Sequence, residues 1–117
     1  MKIVCWNLGK AGKKEQVQIK EIFRRTNALI VGVQENKTKL PEITGYVSYN
    51  ADPAPIVHGT KMNASMYVNR NVPSKLMAKG VNWLIVEVQD DSRMRKMLAV
   101  NVYNHTGRRN EFNEFLL

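Results

Sequence analysis

Residues 28–37 read Ala-Leu-Ile-Val-Gly-Val-Gln-Glu-Asn-Lys. An unbroken apolar run, rich in β-branched residues and too short for a buried helix, is the pattern of a strand buried on both faces. It gives way at once to Gln34 and Glu35. A carboxylate placed just past a buried strand is held rigidly at a sheet edge, where irregular backbone leaves room for a ligand.

Working outward, residues 13–26 carry Ile19, Ile22 and Phe23 at helical spacing, opposite Lys13, Lys14, Lys20 and Arg24, and are expected to form an amphipathic helix. Before it, residues 2–7 form a short β-branched and aromatic run, expected as a strand that ends in Trp6-Asn7. Downstream, residues 37–41 read as loop, 46–49 as a short strand, and 51–59, with Pro53, Pro55 and Gly59, as irregular. Residues 64–68 read as a strand closed by the turn formers Asn69-Arg70-Asn71. Residues 82–89 and 96–103 are the longest β patterns, and the polar Asp90-Asp91-Ser92-Arg93 between them predicts an antiparallel hairpin. In residues 108–117, Phe112, Phe115 and Leu116 fall on one helical face, and no stop signal follows. Strand, helix, strand, further strands and a helix make an α+β chain or a layered β-sandwich with outer helices, not an alternating parallel-sheet fold.

The 117 residues suit one domain, with no repeat, linker or low-complexity tract to divide them. Eighteen Lys and Arg against ten Asp and Glu leave a formal charge of +8, which favours polyanionic partners, nucleic acid first among them. No apolar run approaches the ~20 residues needed to span a bilayer, so no membrane partner is expected. The first residues do not read as a signal peptide, and the single Cys5 suits a reducing compartment; an intracellular location, nuclear or cytoplasmic, is expected.

Metal-assisted phosphate chemistry would need hard oxygen ligands, and Glu35 supplies a carboxylate, with Asn7 an amide that adds no charge. Spacing alone leaves open that Glu35 is a solvated loop residue and Asn7 a turn former. Gly9-Lys10-Ala11-Gly12-Lys13-Lys14 lacks the Gly-to-Lys-Ser/Thr spacing of a phosphate loop. Cys5 is expected as a buried core thiol, and Trp6 and Trp83 as packing aromatics. Arg93, Arg95 and Lys96 sit near a hairpin tip, where they either touch nucleic-acid backbone or remain solvated.

Residues 1–7, Met-Lys-Ile-Val-Cys-Trp-Asn, resemble the opening strand of the endonuclease/exonuclease/phosphatase family, and residues 29–37 resemble its apolar strand ending Gln-Glu-Thr-Lys. Residues 61–73 are similar to the Ala-Ile-Tyr-Val…Pro strand of retrotransposon-type members. Residues 98–103, ending Asn101-Val102-Tyr103, are similar to their Asn-Val-Tyr strand, and residues 111–117 to the helix after it. LINE-type retrotransposon endonucleases, relatives of the apurinic/apyrimidinic repair enzymes, are the nearest in flavour. The resemblance implies half of a four-layer α/β-sandwich of DNase I-like type, mostly antiparallel sheet with flanking helices. Residues 1–117 would then be the N-terminal part of that domain.

It further implies hydrolysis of nucleic-acid phosphodiesters with Mg²⁺, or Mn²⁺ in its place, held by Glu35. Asn7 would organise the site by hydrogen bonds, and Tyr103 would contact the scissile phosphate. Lys37, Arg93, Arg95 and Lys96 are the candidate nucleic-acid contacts. The family's later Gly-Asp-Phe-Asn and Ser-Asp-His motifs are not in the chain, and neither His58 nor His105 takes the catalytic histidine's place. Gly9 stands where repair enzymes often have an acidic residue, and Asn104 where a Pro is usual. The incomplete set implies a chain inactive by itself. A phosphatase of inositol phosphates and a non-catalytic binding fragment remain alternatives. If each half supplies one of two facing sheets, an apolar face formed by Leu84, Val86 and Val88 or by Leu98, Val100 and Val102 is left uncovered. Self-association or pairing with a missing C-terminal half is the expected consequence.

Overall fold

The two-sided burial read from residues 28–34 is realised in β2 (Ile30–Asn36), which lies between β1 (Ile3–Ala11) and β4 (Ala64–Asn69). A computed structural model describes residues 3–11, 13–36, 42–52, 64–90 and 95–103. The remaining elements are α1 (Lys13–Thr26), β3 (Tyr46–Asn50), β5 (Ser74–Gly80), β6 (Trp83–Asp90) and β7 (Arg95–Val102). They form a four-stranded sheet in the order β1-β2-β4-β3 and a three-stranded sheet in the order β5-β6-β7. Only the β1–β2 pair is parallel among the named strands, as a strand–helix–strand crossover requires.

Alternation along β2 sends its side chains into two cores. Val31 and Val33 join Phe23 of α1 with Ala28, Ile43 and Tyr67 on the outer side of the first sheet. Ile30 joins Ala64, Met66 and Val68 of β4 with Leu84, Val86 and Val88 of β6, between the sheets. Phe23 fits edge-on between two rings, 4.7 Å from Tyr46 and 4.8 Å from Tyr67 between centroids. The Tyr46 hydroxyl donates to the Ala28 carbonyl at 2.6 Å, so its polar tip stays satisfied beside the core.

The helix stops where Asn27 takes a left-handed conformation (φ 46°) and its N–H bonds the Phe23 carbonyl, an αL cap that Asn tolerates well. Arg24 and Arg25 of the last turn both bond Glu21, at 2.7 and 3.2 Å, and the Arg24 bond is the main cause of the lowered Glu21 pKa. None of the described helices is long and apolar enough to cross a membrane.

Several sequence expectations need correction. β1, expected over residues 2–7, continues past Asn7 to Ala11, with a register irregularity between Asn7 and Ala11. β5 was not expected at all. Its Lys75-Leu76-Met77-Ala78-Lys79 shows no alternation, because it is an edge strand with a bulge between Leu76 and Ala78. Cys5 is exposed, not buried, since β1 lies at the sheet edge. Trp83 is buried as expected, whereas the side chain of Trp6 and the expected loop 37–41 and helix 108–117 lie outside the described residues.

The expectation that each half supplies one of two facing sheets is overturned, because both sheets come from this chain; of the two candidate uncovered faces one is buried between them and the other is exposed. Leu84, Val86 and Val88 pair with Asn101, Ala99 and Met97, face the first sheet and are fully buried. Leu98 and Val100 occupy the alternate positions and point outward, 64% and 48% exposed.

That assignment predicts a sharp contrast. Leu84→Ala should cost ~2–5 kcal/mol in chemical denaturation, whereas Leu98→Ala should stay within about 0.5 kcal/mol; the opposite order would mean that the β6–β7 register is off by one. A second expectation concerns pH. Burial raises the Tyr67 pKa well above its ordinary value of about 10. The folded state therefore holds this proton more tightly than the unfolded chain, and the stabilisation is complete below about pH 10 and lost as pH rises above it. Denaturation midpoints should fall above about pH 10, and less steeply in Tyr67→Phe.

Candidate functional site

Because β1 and β2 run parallel, their C-terminal ends reach the same edge of the first sheet, with Asn7 in register with Gln34. Antiparallel β4 begins there, Ala64 opposite Gln34. At this edge the chain leaving β3 crosses to the second sheet. The Ala51 N–H bonds the Ala64 carbonyl at 2.8 Å, and the Asp52 N–H bonds the Gly80 carbonyl at 2.9 Å. Asp52 and Val81 form a parallel bridge, and the Tyr103 N–H bonds the Asn82 carbonyl at 2.8 Å. Asn82 makes the turn into β6 in a left-handed conformation (φ 64°), which Asn adopts more readily than most residues.

A side-chain network closes the gap between the sheets. The Gln34 Nε2 donates to the Asn101 Oδ1 at 2.9 Å and to the Val102 carbonyl at 2.7 Å. The Asn101 Nδ2 donates to the carbonyls of Val33 at 3.2 Å and Ser65 at 2.8 Å. The amide orientation follows from these partners, since a flipped Asn101 would set its oxygen against two carbonyl oxygens. Gly32 lies directly beneath it: a Cβ there would stand in ordinary contact with the Asn101 Nδ2, at 3.5 Å.

The backbone thus brings the positions of Asn7, Glu35 and Tyr103 to one edge. Asn7 and Glu35 lie on adjacent strands, one register position apart. Gln34, which precedes Glu35, is bonded to the carbonyl of the residue before Tyr103. The side chains of Asn7 and Glu35 are outside the described residues, whereas Tyr103 is half-buried and packs against the core between the sheets. Lys37 and Arg93 also lie outside the described residues. Arg95 and Lys96 are exposed at the opposite end of β7, ~25 Å from Tyr103 at ~3.4 Å per residue, so they lie away from this edge. Lys96 Nζ lies 3.9 Å from Glu87 Oε1. An exposed pair at that distance contributes little to stability.

Two residues at the edge escaped sequence reasoning. Asp52, at the crossing between the sheets, has its Oδ1 3.1 Å from the Lys79 Nζ, with both side chains about half exposed. Its placement depends on backbone pairing with β5, a strand without a sequence signature. Asn101 was noticed only as part of an Asn-Val-Tyr run, and a buried Asn leaves no periodic trace. Among the described residues no three His, Cys, Asp or Glu side chains gather as a metal cluster.

No family profile matches the sequence, and no curated protein sequence matches it. Solved structures do. The endonuclease domain of TRAS1, a telomere-specific non-LTR retrotransposon, superposes with a TM-score of 0.67 at 16% identity, over 94% of this chain and 49% of that one. The AP endonuclease LMAP from Leishmania major superposes with a TM-score of 0.72 at 13% identity, over 96% of this chain and 42% of that one. The chain therefore spans about half the length of each neighbour. Two facing sheets, mostly antiparallel, with a helix packed on the outer side of the first, are half of an α/β-sandwich of the DNase I-like fold.

Proposed function

We propose that this chain is the N-terminal half of a Mg²⁺-dependent nuclease domain that hydrolyses phosphodiesters of nucleic acid. The observation that carries this reading is that Asn7 in β1, Gln34-Glu35 near the end of β2 and Val102-Tyr103 at the end of β7 come to one edge. Asn7, Glu35 and Tyr103 all carry oxygen ligands, which suit a hard cation. Glu35 would hold the ion, which when bound supplies charge stabilisation at the reacting phosphoryl group. Asn7 would keep the site in order by hydrogen bonding, and the Tyr103 hydroxyl would orient a phosphate oxygen. The formal +8 charge favours a polyanionic substrate, because phosphate contacts supply most non-specific affinity. That both neighbours are endonucleases by name supports nucleic acid over an inositol phosphate.

Groups that would activate the nucleophile and protonate the leaving oxygen are not among these residues, and such groups typically contribute ~10²–10⁴-fold. Turnover therefore awaits a complementary half. We place its strands beside β1 and β7, the edge strands at the site end of the two sheets.

Three outcomes are expected. The isolated chain should bind Mn²⁺ weakly, and Glu35→Gln should weaken that binding further, as read by water proton relaxation. Plasmid nicking with Mg²⁺ should be marginal; robust turnover that vanishes in Glu35→Gln would show that the chain already holds a complete catalytic set. Duplex DNA should bind with a steep salt dependence, and Lys96→Ala should lower the slope of log K against log salt by about 1 if Lys96 meets a phosphate. The same variant should leave stability within about 0.5 kcal/mol.

A further inference from the structure

We propose that Asn101, acting with Gln34, is a positioning residue that ties the end of β2 to the end of β7 and so fixes Glu35 relative to Tyr103. This rests on reading that edge as the metal-dependent site.

The inward positions of β7 otherwise carry Met97 and Ala99, opposite Val88 and Val86, and Asn101 is the one amide in that row. It is 7% exposed, yet both of its N–H groups and its oxygen have hydrogen-bond partners. Its two N–H groups reach carbonyls on two different strands of the facing sheet, and its oxygen takes the Gln34 amide, which also bonds the chain at Val102. One side chain therefore engages β2 and β4 from β7, across the sandwich. Apolar packing is tolerant of small shifts between layers, whereas a fully satisfied buried network specifies one geometry.

A second departure from local rules sits at the same spot. Gly32 interrupts a buried strand, where glycine is unfavourable, and a strand glycine often marks close approach by another group. Here the approaching group is the Asn101 amide. Local rules broken together, next to strand ends that carry candidate ligands, are expected where geometry is kept for function.

The full chain tests this through amide hydrogen exchange by NMR and Mn²⁺ binding by water relaxation. Asn101→Leu keeps a buried side chain of similar volume but removes the bonds; Val86→Ala loosens the same core without touching them. In Asn101→Leu, protection at residues 34–36 and at Tyr103 should drop about tenfold or more relative to Val31, whereas Val86→Ala should lower protection by a common factor. Mn²⁺ affinity should fall about tenfold or more in Asn101→Leu and change little in Val86→Ala, as for groups that orient metal ligands. If Asn101→Leu does not fold, Gln34→Ala, which removes two bonds at a half-buried position, should give the same local pattern at smaller size. Unchanged or uniformly lowered protection in the folded variants would overturn the proposal. If Glu35→Gln binds Mn²⁺ as well as the unaltered chain, the metal reading fails by itself, and the exchange pattern still decides the role of Asn101.

Discussion

The structure depends on β2 being buried on both sides. A strand that sends Val31 and Val33 one way and Ile30 the other cannot be satisfied by a single partner layer. It needs a helix on one side and a second sheet on the other, and the chain provides α1 before it and β5 to β7 after it. The apolar run ends at Gln34, which is only partly buried. Polar residues are therefore tolerated at the end of β2 and excluded from its middle. The position of the candidate site follows from where the burial stops.

Two kinds of bonding hold the sheets together, and they do different work. The apolar contact of Met66 and Val68 with Leu84, Val86 and Val88 supplies most of the free energy, at ~25 cal/mol per Å² removed from water. It is non-directional and leaves the layers free to slide slightly. At the site edge the connection is directional instead: the chain at Ala51-Asp52 passes from one ladder to the other, and Gln34 and Asn101 bridge the sheets beside it. A net hydrogen bond is worth only ~0.5–1.5 kcal/mol, so this polar seam adds little to stability compared with the core. Its effect is on geometry, at the edge proposed to hold a phosphate.

Much of this fold was legible in the sequence because apolar periodicity records burial. The helix at Lys13–Thr26 and the β6–β7 hairpin were read close to their observed bounds, since each presents a clear amphipathic or alternating pattern. β5 left no such record: an edge strand with a bulge buries little and shows no alternation. Sequence left open whether Leu84, Val86 and Val88 or Leu98 and Val100 would be the uncovered face, as period 2 gives two faces without saying which one points inward; the structure exposes Leu98 and Val100. For the site, the candidate positions Asn7, Glu35 and Tyr103 could be named from sequence, but the placements of Asp52 and Asn101 could not. Both are placed by contacts between segments far apart in the chain, and such contacts have no local signature.

The sheets end on the strands that carry the candidate site. β1, which carries Asn7, and β7, which leads into Tyr103, each have a hydrogen-bonded neighbour on one side only among the named strands. An eight-residue edge strand with Leu98 and Val100 exposed is a surface that natural proteins usually cover or blunt, because its free ladder invites another strand. Arg95 and Lys96 blunt it at one end, where two adjacent positive charges oppose pairing with a second copy of the same strand. At the Tyr103 end no charge intervenes between Leu98 and Tyr103. Strands added beside β1 and β7 would extend both sheets outward from the site, setting their own terminal residues next to Asn7 and Tyr103. A catalytic set divided between two halves can then be assembled by extending two ladders, without rebuilding either core.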